Sequence, residues 1–244
     1  TRWDGSAWQA LGGGLNSSVS AIAVSGGNVY VGGAFTDAGG NPNADYIARW
    51  DGSQWHALGG GLNSFVLAIA VSGGNVYVGG AFTDAGGNPN ADRIARWDGS
   101  AWHPLGGGVN STVRAIAVSG GNVYVGGAFT DAGGNPNADR IARWDGSAWH
   151  ALGGGLNSFV YAIAVSGGNV YVGGSFTDAG GNPNADRIAR WDGSQWHALG
   201  GGLNSSVFAI AVSGGNVYVG GAFTNAGGNS NADRIARWDG AAWH

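Results

Sequence analysis

The chain has 244 residues, 43% hydrophobic and only 11% charged, which supplies enough apolar material for a core and too little charge for a disordered chain. Its net charge of -4 comes from 15 aspartates and 11 arginines spread evenly along the sequence, so the basic stripe that nucleic acid needs is missing and no nucleic-acid partner is expected. No apolar run reaches the length of a membrane span, no leader pattern opens the chain, and the lack of Cys excludes disulfides and thiolate chemistry without choosing a compartment.

The chain opens with Thr1 to Gln9 (TRWDGSAWQ), which carries an N-terminal fourth strand. Ser20 to Val24 is an apolar run that ends at Ser25-Gly26-Gly27-Asn28, a glycine turn of the kind that joins tight hairpins. Val29 to Phe35, rich in β-branched and aromatic residues, predicts the next strand. The stretch from Asp37 to Asp45 carries Gly, Pro, Asn or Asp at nearly every place and predicts a loop. Tyr46 to Trp50 is a third strand, Asp51-Gly52 a favoured hairpin dipeptide, Gln54 to Leu58 a fourth strand, and Gly59 to Gly61 leads out of it. Helical periodicity is absent throughout.

This unit then recurs. Trp3, Trp50, Trp97, Trp144, Trp191 and Trp238 each open a Trp-Asp-Gly, and successive members stand 47 residues apart without a slip. A fixed period of this size signals a solenoid, an array or a propeller. Four short antiparallel strands per period, apolar on both faces, must be covered on both sides, and stacked propeller blades do that. A β-helix would not need two hairpin turns per unit. The expected architecture is therefore all-β: one β-propeller domain over residues 1–244, with five four-stranded blades at about 19–65, 66–112, 113–159, 160–206 and 207–244 plus 1–18. Because Thr1 to Gln9 nearly duplicates Ala236 to His244, the N-terminal strand is expected to complete the last sheet and close the ring of a monomer. A larger ring shared between chains is the alternative. The chain also lacks Met, an initiator included, as an excised, processed or engineered segment would.

Val29-Tyr30-Val31-Gly32-Gly33, an aromatic residue before the turn at Trp50-Asp51, and Trp55 with Leu58 behind it resemble the Kelch repeat in all five units. Trp50 stands where that family usually carries Tyr, and the Gly/Asn-rich loop between is a further departure. The resemblance implies a propeller fold and a leaning toward protein or glycan binding. It implies no reaction.

The candidate chemistry repeats with the blades. His56, His103, His150, His197 and His244 recur once per unit, which holds them too far apart to ligate one ion, and no metal site or cofactor is expected. Asp37, Asn41, Asn43 and Asp45 faintly resemble a calcium loop, but such residues also close turns on their own backbone, and the copy from Asn225 to Asp233 keeps one carboxylate. Asp92, Arg93, Arg96 and Asp98 and their copies are expected to pair with one another structurally. No Ser/His/Asp set is unique to one place, so no enzyme is expected. The main reading is a non-catalytic symmetric scaffold, designed or recently amplified from one blade. The alternative is a glycan- or peptide-binding module. Its candidate residues come from the place where copies differ most, the entry to the first strand of each blade. The pairs there are Ser18/Ser20, Phe65/Leu67, Thr112/Arg114, Phe159/Tyr161 and Ser206/Phe208. Positions two apart share a side of an extended strand, so Phe65, Leu67, Thr112, Arg114, Phe159, Tyr161 and Phe208 are expected to line a channel mouth.

Overall fold

The structure, a computed structural model, describes all of residues 1–244. It comprises two compact units, Thr1–Gly108 and Val109–His244. The first unit opens with a hairpin of β1 (Arg2–Trp3) and β2 (Trp8–Gln9). A four-stranded antiparallel sheet follows, in the order β3 (Val19–Ser25), β4 (Asn28–Gly33), β5 (Ile47–Trp50) and β6 (Trp55–Ala57). A second sheet repeats it with β7 (Val66–Ser72), β8 (Asn75–Gly80), β9 (Ile94–Trp97) and β10 (Trp102–Pro104).

The second unit holds the sheet of β11 (Val113–Ser119), β12 (Asn122–Gly127), β13 (Ile141–Trp144) and β14 (Trp149–Ala151). The next is β15 (Val160–Ser166), β16 (Asn169–Gly174), β17 (Ile188–Trp191) and β18 (Trp196–Ala198). The last sheet is β19 (Val207–Ser213), β20 (Asn216–Gly221) and β21 (Ile235–Trp238). In every sheet the strands pair in sequence order, as short hairpin connections dictate.

Each blade is built by the same local chemistry. The glycine pair after the first strand takes positive φ at both places, 57° and 79° at Gly120 and Gly121, which is the backbone of a tight hairpin turn. The first strand then carries a β-bulge: its pairing shifts between Val113 and Ala115, and likewise between Val160 and Ala162. The double glycine that ends the second strand lets that strand pass under the bulge. A Cβ on Gly127 would lie 2.1 Å from the Thr112 carbonyl oxygen, so only glycine fits.

Blades are held to their neighbours by one recurring interface. In the first unit Val66, Ile69 and Val71 of β7 pack with Tyr30 and Ile47 of the preceding blade, and in the second unit Val207, Ile210 and Val212 pack with Tyr171 and Ile188. Farther out, Trp102 donates its indole N–H to the Leu58 carbonyl at 3.1 Å, and Trp196 does the same to Leu152 at 3.1 Å. Within each unit the second Trp of a blade is thus pinned to the residues leaving the preceding blade. Phe35, Phe82, Phe129, Phe176 and Phe223, just after each second strand, have no exposed surface and form the largest buried side chains.

The ends depart from the expected closure. The last sheet takes its fourth strand from its own C-terminus, where Arg237 and His244 exchange backbone hydrogen bonds of 2.8 and 2.9 Å and Trp238 bridges Trp243. The N-terminal strands pair with each other instead. A hairpin closed through Asp239-Gly240 loses far less chain entropy than pairing with the opposite end of the sequence, so the local partner holds the place.

Candidate functional site

The hairpin between the third and fourth strands gathers the polar residues of each blade. Asp51 accepts from the backbone N–H groups of Ser53 and Gln54 at 2.8 and 2.9 Å and from the Ser53 hydroxyl at 2.8 Å through one oxygen, while His56 Nε2 lies 2.6 Å from the other. The Asp98, Asp145 and Asp192 copies repeat this with His103, His150 and His197, and Asp239 keeps its His244 contact at 2.7 Å. In the first hairpin Gln9 replaces the imidazole and donates to Asp4 at 2.8 Å. By repeat spacing alone these histidines are only metal ligands held apart. The signal for their contact is the constant spacing from Asp-Gly to His, which puts both side chains on one side of a two-residue turn.

These residues are those of a hydrolase triad, but they are connected differently. A nucleophilic serine needs its hydroxyl hydrogen-bonded to the imidazole that takes its proton. Here the serine hydroxyl donates to the aspartate, and the histidine addresses the same aspartate from the other side. The arrangement closes a turn.

It also has a pH signature. Backbone N–H donors, with help from Ser and His side chains, hold Asp98 and Asp145 well below the ordinary value of 3.8, and for Asp192 the His197 contact is the largest cause. A folded carboxylate with a lowered pKa binds fewer protons than its unfolded form. Its stabilisation is therefore complete above the ordinary value and is lost as pH falls below it toward the lowered one. Changing Asp98, Asp145 and Asp192 together to Asn should flatten the acid limb of the melting-temperature profile and leave its neutral-to-alkaline part parallel to that of the parent. An unchanged acid limb would show that these turns carry none of the acid sensitivity.

The loop after the second strand bonds to itself. Asp84 and Asp178 donate backbone N–H groups to Asp92 Oδ1 and Asp186 Oδ1 at 2.8 and 2.9 Å, and Asn90 and Asn184 donate theirs to Asn88 and Asn182. Oxygens that resembled a calcium loop are thus acceptors for main-chain N–H groups.

The expected pairing of Asp92, Arg93, Arg96 and Asp98 is corrected. Arg96 donates to Asn75 Oδ1 at 2.9 Å, Arg93 donates to the Ala81 carbonyl, and Asp98 is occupied by its own turn. Arg93, at φ 63°, directs its side chain away from the strand that an extended Asp-Arg pair would need.

The variable residues fall at the start of the first strands, and the second member of each pair is the bulged residue. In the first unit Phe65, 51% exposed, meets Tyr46 edge-on at 6.0 Å, and Leu67 is half-buried. In the second unit Thr112 is half-buried, and four other side chains join in a row. Arg114 lies over the Tyr161 ring at 5.7 Å, and Tyr161 meets Phe208 at 5.4 Å and Phe159 at 6.3 Å. Arg140 covers Phe159 from outside at 5.3 Å. Phe159 and Phe208 remain 39% and 56% exposed. Bulges commonly re-aim a side chain, and here they bring residues from three blades into contact.

No protein-family model matches the chain, and no curated protein does. Among solved structures it is similar to the computationally designed Ika8 protein, with a TM-score of 0.57 and 21% identity over 93% of this chain and 60% of that one. It is also similar to the WD40 β-propeller domain of Doa1 (TM-score 0.57, 14% identity, 86% of this chain and 64% of that one). A chain of a nidogen/laminin complex gives a TM-score of 0.56 at 13% identity, with 89% and 82% covered. The chain thus spans about three fifths of the length of the designed protein. With the repeated four-stranded antiparallel sheets, these likenesses show a β-propeller fold.

Proposed function

We propose that this chain is a non-catalytic β-propeller scaffold, built from near-identical blades amplified or designed from one unit. The observation that supports it is that the polar groups able to do chemistry are spent inside their own blade in the same way each time. The Asp145 hairpin occupies its Ser147 and His150 as the Asp192 hairpin occupies Ser194 and His197. An active centre needs one hairpin rearranged for catalysis, and the two hairpins that differ only lose chemistry: Gln9 stands for the imidazole in the first and Ala241 for the serine in the last. A fluorophosphonate reagent, which labels activated serines, is expected to leave Ser53, Ser100, Ser147 and Ser194 unmodified. Labelling of any one of them would overturn the non-catalytic reading.

One observation favours a second reading, a glycan- or peptide-binding role of the kind the Kelch-like resemblance suggests. The row of Arg114, Tyr161, Phe159 and Phe208 offers exposed ring faces beside a cation, the groups that stack on sugars and anchor peptides. On this reading, replacing Arg114, Phe159 and Phe208 with Ser abolishes binding on a glycan or peptide array. It should cost about 1 kcal/mol of stability per site or less, because each of these side chains keeps a solvent-exposed face. Binding that survives the triple variant would refute the second reading.

A further inference from the structure

The recurring blade interface has two unlike halves, and β3 carries one of them open while β20 and β21 carry the other open. At the covered interfaces the first-strand valine sits over the first glycine of the preceding blade's pair: a Cβ on Gly32, Gly126 or Gly173 would lie 2.2, 2.3 or 2.5 Å from Cγ1 of Val66, Val160 or Val207. Those three valines have no exposed surface, and neither do the third-strand residues Ile47, Ile141 and Ile188 that pack beside them.

In β3 the equivalent valine half is open. Val19 is 40% exposed, Ile22 63% and Val24 69%. In β20 and β21 the glycine half is open. Nothing comes nearer to a Cβ on Gly220 than 3.8 Å, Tyr218 is exposed, and Ile235 is 72% exposed where its counterparts are fully buried. Large solvated apolar residues grouped on a sheet face mark an interaction surface. The partner is defined by the chain itself, because the valine half and the glycine half already mate at neighbouring blades of each unit.

We propose that Val19, Ile22 and Val24 of one copy pack on Tyr218, Gly220 and Ile235 of a second copy, so that copies join head to tail through the same interface that joins blades. Such a contact is heterologous: each copy carries one of each half, and the assembly ends only when the rotation closes a ring. The hairpin of β1 and β2 repeats the sequence Arg237–His244 nearly residue for residue and would contend with it at the edge of the last sheet. Face packing does not need that hairpin.

The test is sedimentation velocity on the full chain and two variants, Ile22→Asp and Ile235→Asp. Both positions are solvent-exposed, so each variant should keep its fold, checked by circular dichroism. The parent is expected above 24.4 kDa, each variant alone at 24.4 kDa, and an equal mixture of the two variants at twice that mass, since each supplies the half the other lacks. Deleting residues 1–9 should leave the parent's association intact. A monomeric parent would overturn the proposal. So would a variant that associates by itself, which would mean a face pairs with its own kind, or association lost with residues 1–9, which would mean hairpin exchange. The scaffold reading is independent of this result and rests on the serine-labelling test.

Discussion

Phe176→Ala is expected to lower stability by about 4 kcal/mol, the usual cost of removing a fully buried phenylalanine and leaving a cavity. Phe176 has no exposed surface and packs with Val160, Val172, Ala179 and Trp196, which come from both hairpins of its blade and from the loop between them. Those residues sit on hydrogen-bonded strands or a tight 3-10 turn, so they cannot close over the gap. For a chain of this size the loss corresponds to a fall of roughly 10 °C in melting temperature. Phe208→Ala, at a residue 56% exposed in the next blade, supplies the control and should cost less than about 1 kcal/mol. Equal losses at the two positions would mean that the core is not where the structure puts it. Urea unfolding followed by tryptophan fluorescence reads both.

The second large effect comes from adding a single methyl group. Gly127→Ala would place a Cβ 2.1 Å from the Thr112 carbonyl oxygen and 3.0 Å from Val113 Cα, both of them backbone atoms. No rotamer change can relieve a clash with main chain. The start of β11 would have to leave β12, and with it the 2.9 Å bond from the Ala128 N–H to the Thr112 carbonyl. The expected cost is about 3 kcal/mol, at the upper end of overpacking effects. Gly121→Ala makes the comparison, since a Cβ there meets nothing within 4 Å and only the positive φ of 79° opposes it, at about 1 kcal/mol. If the two glycines prove equally tolerant, the bulge does not press on the second strand as described.

Much of this architecture can be read from the sequence because the repeat states each element several times. The run Ser20 to Val24 became β3 (Val19–Ser25), and Tyr46 to Trp50 became β5 (Ile47–Trp50). Tyr46 dropped out because it takes φ 62°, a conformation that β-propensity does not anticipate for an aromatic residue. Val29 to Phe35 shortened to β4 (Asn28–Gly33), since Phe35 turns out of the ladder to enter the core. The bulge left no mark in the apolar pattern, so the variable residues were placed on a regular strand.

Other features lie beyond local sequence altogether. Residues 84–92 and 131–139 are identical, yet the first segment forms a 3-10 turn with Asp84 at φ 52°, and in the second Ala132 bridges Asn135 while Asp131 Oδ1 caps the Gly134 N–H at 2.7 Å. Two turn geometries of nearly equal energy are open to one Gly/Asn-rich sequence, and the surroundings choose. Of the candidate site, the positions of Phe159, Tyr161 and Phe208 were legible because they break the repeat. Their mutual contact was not, since it needs two neighbouring blades in place. The Asp–His hairpins were visible as a spacing but not recognised as turn chemistry.

The central claim is that the blades are interchangeable units of a scaffold, none of them specialised. Replacing residues 113–159 with the sequence of residues 66–112 tests it most directly. The exchange alters only Arg114 to Leu, Ala151 to Pro, Leu156 to Val and Phe159 to Thr. Pro already stands at the equivalent of position 151 in β10, so the fold admits it. Measured by urea unfolding, the exchanged chain is expected to keep its β-sheet circular dichroism and to lose no more than about 2 kcal/mol, the sum of one buried methylene and three partly solvated changes. Loss of cooperative folding on the exchange would contradict the account, because it would show that the third blade carries something its neighbours lack.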